Sequence, residues 1–161
     1  MISERVKLAR EACALTQEEL SERACLPLGT LGPIEIGRIL RPSDETIEAI
    51  AAATGFPVSF FFRGPLPDLP DGNYRKFARG TSKAEKQVRA MTRQMVEIVQ
   101  WSDEVLRLPK LEINALPDLG AIDDIEYHTR DVRNSLRVGV NDPIPNLMRS
   151  IERAGVVILR L

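Results

Sequence analysis

Caps, glycines and prolines break the first sixty residues so often that only short helices fit between them. Thr16 followed by Glu19 reads as a capping box, in which hydroxyl and carboxylate each take a backbone amide at a helix start. It opens a helix over 17–24 with Leu20 and Ala24 turned inward. Ahead of it, Ser3 offers a cap for a first helix whose apolar side is Val6, Leu8, Ala9 and Ala12. Ser43 and Asp44 can start a fourth helix, where Ile47, Ile50 and Ala51 recur at helical spacing, and Gly55 is placed to end it. Phe56-Pro57 leads into a last apolar turn, from Val58 to Phe62.

In combination, Leu15-Thr16-Gln17-Glu18-Glu19-Leu20, Ile34-Glu35-Ile36-Gly37, Arg41-Pro42-Ser43 and Phe60-Phe61-Phe62 resemble the XRE-type helix-turn-helix, the five-helix domain of lambda-type phage repressors. The resemblance covers residues 1–64 and implies an ion pair between Arg10 and Glu35. It also implies a third helix lying in the DNA major groove. Gln17, Arg38 and Arg41 match positions that hold the phosphate backbone, and such contacts position a protein without conveying sequence.

The reading positions depart from that pattern. Where base-contacting side chains belong stand Leu28, Gly29 and Pro33, which supply no side-chain donors or acceptors for base edges. Thr30 is the one polar residue between Cys25 and Glu35, and so the one candidate for base contact. Pro33 inside a helix would cost ~3 kcal/mol, so the third helix is either kinked or begins late, with the proline in its first turn. Cys25 stands where a glycine is usual, and a positive φ there would strain a residue with a Cβ.

Residues 65–81 read as a linker because its first part is rich in proline and glycine. Tyr74-Arg75-Lys76-Phe77 within it interleaves basic and aromatic residues; it can grip a nucleic-acid backbone, or its rings can anchor the chain to the next helix. Ser82 opens the longest helix, ending near Leu106, with an apolar stripe of Ala84, Val88, Met91, Met95 and Ile98. That stripe is expected to be buried, against later helices or a second copy of itself. Lys83, Lys86, Arg89 and Arg93 gather on the opposite face, as a solvated side or, with Arg75 and Lys76, as auxiliary phosphate contacts. Charge supports the second option: residues 1–64 hold seven basic against nine acidic side chains, whereas 73–93 hold seven basic and one acidic.

Further helices are expected over 121–137, with Ile122, Ile125, Val132 and Leu136 on one side, and from Asn141-Asp142-Pro143, with Ile144, Leu147, Met148 and Ile151 buried and Gly155 as the stop. The lone His128 reads as structural. Val156-Val157-Ile158-Leu159-Arg160-Leu161 is expected to be a strand. A second resemblance rests on Trp101 with a following Leu-Pro, Leu136-Arg137-Val138-Gly139, Pro143-Ile144-Pro145-Asn146-Leu147 and Glu152-Arg153-Ala154-Gly155-Val156-Val157. These look like the start of an ImmA/IrrE-type zinc metallopeptidase domain. That family's zinc chemistry needs His-Glu-x-x-His, which this sequence lacks, so no residue inherits a catalytic role.

The expected fold is mainly α: a five-helix domain over 1–64, a linker over 65–81, and a smaller helical region over 82–161 with a long amphipathic helix and a C-terminal strand. The expected function is DNA-binding regulation with weak or unusual base readout. Double-stranded DNA and a second copy of the chain are the expected partners, with no metal or cofactor and no enzymatic activity. One alternative is a protein-interaction module that has lost DNA binding, and another is the regulatory N-terminal part of a zinc metallopeptidase. No apolar run approaches the ~20 residues needed to cross a bilayer, and two cysteines without metal spacing suit a cytoplasmic protein.

Overall fold

The computed structural model describes residues 2–69, 81–113 and 122–158. Arg75 and Lys76 with their aromatic neighbours Tyr74 and Phe77, the side chain of Ile122, and the end of the expected strand at 159–161 lie outside the described residues. The chain divides into two units, one reaching to Ile98 and the other starting at Val99.

The first unit is built from α1 (Ile2–Ala12), α2 (Gln17–Arg23), α3 (Leu31–Glu35), α4 (Asp44–Thr54), α5 (Val58–Phe61) and the first part of α6 (Ser82–Val105). Val6, Ala9, Leu20, Leu31, Ile34, Ile47, Ile50 and Phe61 form its core. Local chemistry sets the helix ends. Thr16 and Glu19 close the capping box of α2 from both sides. The Ser43 side chain accepts the Thr46 amide at the start of α4, and Gly55 ends that helix in the left-handed region at φ 75°. Ser3 lies inside α1 rather than capping it.

α3 resolves the proline problem. It begins at Leu31, so Pro33 falls in the first turn, where its missing N–H has no intrahelical partner to lose. The strain shifts instead to the turn before it, where Cys25 holds φ at 53°.

α6 meets the bundle in the opposite sense to the expectation. Its Ala90 joins the core, while Val88 and Ile98 of the apolar stripe stay exposed. The side packed inward carries charge. The Lys83 ammonium donates to Glu19 at 2.8 Å, Arg93 Nε donates to the Pro67 carbonyl at 2.7 Å, and Arg5 pairs with Glu97. The bundle surface beneath α6 is acidic: Glu4, Glu11, Glu35 and Asp68 line one cavity with Lys86, Arg89 and Arg93. Opposite charges and long methylene stems therefore decide which side of α6 docks. Residues 65–69 are likewise no open spacer, because Leu66 is buried in the core.

Arg5 is the hub of this docking and is 0% exposed. Its guanidinium holds the Glu97 carboxylate at 2.6 and 3.3 Å and donates to the carbonyls of Arg63 and Gly64. It also stands 4.9 Å from the centre of the Phe60 ring. A buried cation is tolerated because every side of it meets an acceptor or a π face.

The second unit contains α7 (Ile122–Ser135) and α8 (Leu147–Arg153). Ala154 is its one buried hydrophobic among the described residues. α8 starts at Asn146, whose side chain accepts the Arg149 amide, not at residues 141–143. Arg133 occupies the carbonyls of Gly139 and Asp142, which fixes residues 139–142 as a turn. Leu147 and Met148, expected to be buried, are exposed, because the unit has too few elements to cover α8. Residues 156–158 form no strand, and no strand occurs among the described residues. A β-rich stretch cannot form a ladder without a neighbouring edge, and none is present there.

Candidate nucleic-acid interface

The geometry around α3 begins with the Arg10–Glu35 pair. Arg10 donates to both Glu35 carboxylate oxygens, at 2.6 and 2.8 Å, and to the Leu15 carbonyl at 2.8 Å. The hydrogen bond to Glu35 raises the Arg10 pKa above its ordinary value against the opposing effect of burial. The Glu35 side chain is only 4% exposed, so this is a bidentate, largely desolvated pair that ties α1 to the end of α3. Gln17 completes it. At the start of α2, its amide donates to the same Glu35 carboxylate at 2.8 Å. Its second N–H is left to reach outward, as a phosphate contact requires.

Gln17 crosses α3 at Gly32, where an added Cβ would come within 3.7 Å of the glutamine oxygen. Thr30 sits at the N-cap of α3 in helical conformation, and its side chain caps no amide. Its hydroxyl is thus the single polar group that the start of α3 offers outward. The neighbouring surface is apolar: Leu28 is 80% exposed.

After α3 the Pro33 carbonyl accepts the amides of Arg38 and Ile39, which turns the chain sharply. Arg38 and Arg41 are both exposed on the loop that follows. Ile39 and Leu40 between them are exposed as well. The sequence reading overlooked this pair, although two aliphatics in a short loop between arginines have little chance of burial. Gln17, Arg38 and Arg41 thus stand at the two ends of the α2–α3 unit, with Thr30 between them in the chain.

The α6 residues fall into two groups. Lys83 is held by Glu19, and Arg93 by the Pro67 carbonyl. Lys86 lines a groove of about 1040 Å³ together with Gln17, Leu28, Gly32 and Pro33. Lys86 is therefore the α6 cation set beside the reading surface, whereas Arg89 lines the separate acidic cavity. Sequence reasoning missed the structural duty of Lys83, because Glu19 already had an evident role in the capping box. Among the described residues no group of His, Cys, Asp and Glu side chains is placed to hold a metal ion. No helix there is long and apolar enough to cross a membrane.

Comparison with known proteins agrees with the geometry. Residues 2–59 match a family model described as a helix-turn-helix domain. The first unit therefore carries a helix-turn-helix domain at its N-terminus. Neither the curated proteins nor the solved structures gave a match to the chain.

Proposed function

We propose that the chain is a DNA-binding transcriptional regulator of the XRE type that grips duplex DNA mainly through its phosphates. One observation carries the reading: Gln17, Arg38 and Arg41 stand exposed around a third helix whose outward side offers only the Thr30 hydroxyl. Donors aimed at phosphate hold a protein on DNA, but discrimination among bases needs groups that α3 lacks. Lys86 is a supplementary phosphate contact, and Arg75 and Lys76 extend the same basic stretch. The protein acts as a homodimer in the cytoplasm, and no catalytic step is assigned to it.

Arg41→Ala tests this. It is expected to lower affinity by a similar factor for every duplex sequence and to reduce the salt dependence by about one counterion. A loss confined to one preferred sequence would contradict phosphate-only contact. Selection from random duplex DNA separates the readings further. Recovery without a motif supports backbone gripping, and a strong palindromic motif points to base reading from elsewhere in the chain.

Residues 73–161 are read as an ImmA/IrrE-like region without its zinc motif. The open apolar cavity between α7 and α8, lined by Ile125, Val132, Ile144 and Ile151, supports its being part of a larger packing unit. The exposed Leu28, Ile36 and Leu40 favour a second reading, a protein-interaction surface that has replaced DNA contact. Absence of retention on DNA with retained self-association would select it.

A further inference from the structure

We infer that the outer face of α6 is a pairing surface for a second copy of this chain, in a parallel two-stranded coiled coil. This gives the proposed dimer a surface, and it holds whether or not the protein reads DNA. The observation behind it is a division of labour around one helix. α6 runs for 24 residues, about 36 Å at ~1.5 Å per residue. Lys83, Gln87, Ala90, Arg93 and Glu97 face the helix's own bundle. The stripe on the other side has no such role.

That stripe follows a seven-residue repeat. Assigning Val88 to position a places Ala84, Met91, Ile98 and Val105 at d and Met95 at the next a, with Ser102 the one polar core position. Ile98 is 50% exposed and Val105 more so, so the apolar edge is uncovered along its length. Charge placement singles out the occupant. Lys83, Lys86, Arg89, Arg93, Glu97, Asp103 and Glu104 all fall at b, c or f, away from the seam. The flanking g and e positions are Gln87 and Gln94 against Thr92 and Val99, which are neutral. A helix whose first half is basic would repel its own copy if those charges flanked the seam. Here they are turned onto an acidic bundle, so self-pairing meets no like-charge penalty.

Ser102 sets the direction. In a parallel in-register pair it meets its own counterpart, whereas an antiparallel pair centred on the stripe would set it against Met91 and bury a hydroxyl beside apolar groups. Because each bundle sits on the c and f side, two copies carry their helix-turn-helix domains on the outside of the pair without collision.

Sedimentation of the full chain without DNA, with Ile98→Lys and a cysteine variant beside it, tests the surface. The chain is expected to be dimeric at micromolar concentration. Ile98→Lys should raise the dimer dissociation constant by about 100-fold or more while leaving helix content unchanged, since the site is exposed. Met91→Cys, with Cys13 and Cys25 replaced by serine, should form an intermolecular disulfide on mild oxidation, because d positions face each other in the parallel pair. A monomeric chain, or a dimer indifferent to Ile98→Lys, would overturn the surface. Failure of the Met91→Cys cross-link in a dimer would overturn the parallel pairing. Loss of DNA binding with these results intact would leave the surface standing and remove only the regulatory reading.

Discussion

Cys25 shows how one residue can carry strain that its neighbours do not need. It holds φ at 53° in the turn between α2 and α3, and its side chain is exposed, so its Cβ buys no burial. Cys25→Gly is expected to stabilise the protein by about 0.5–1 kcal/mol, since release of left-handed strain exceeds the added flexibility of the unfolded chain. Urea unfolding of the two proteins measures it, and an unchanged or lower midpoint would contradict the assignment. Glu19 shows the reverse economy, one carboxylate with two duties. Hydrogen bonding from Lys83, and then from the Thr16 amide, lowers its pKa below the ordinary 4.5. Its contribution is therefore fully present above pH 4.5 and is lost as pH falls through the lower folded value. Urea midpoints taken from neutral pH into this acid range should fall less steeply for Glu19→Gln than for the unaltered chain.

At the scale of the element, α3 is short, and its proline is harmless. Pro33→Ala is expected to change stability by less than about 1 kcal/mol, because a first-turn proline gives up no helical hydrogen bond. A gain near ~3 kcal/mol on unfolding would instead reveal a helix broken at its interior. Elements of this kind were legible in sequence wherever their ends are settled locally. Thr16 with Glu19, Ser43 and Gly55 each act within a few residues, and each lies where its pattern placed it. Asn141-Asp142-Pro143 misled because its surroundings belong to Arg133, which takes the Gly139 and Asp142 carbonyls into a turn and leaves Asn146 to start α8. Periodicity also exposed the α6 stripe but not the side that would be covered. The stripe follows from spacing along one helix, whereas docking depends on the acids that α1 and α3 present to it.

Across the whole molecule, what sequence conveys least is long-range pairing. The Arg10–Glu35 bond was foreseeable through resemblance, but nothing near Arg5 announces partners 58, 59 and 92 residues away. The candidate interface was legible for the same reason as the helices: Gln17, Thr30, Arg38 and Arg41 lie at ends of short elements whose positions are locally fixed. Lys83 was not, since its partner lies across the fold. Arg5 also has a bearing on autonomy. The motif that sequence delimits ends near residue 64, yet the cation at its centre takes its counter-charge from Glu97. Excising the motif at its apparent edge would leave a guanidinium roofed by Phe60 without its carboxylate, and would uncover the core that Ala90 shields. The smallest self-sufficient piece of this protein is accordingly half again as long as its recognisable motif, and it closes only when α6 has been made.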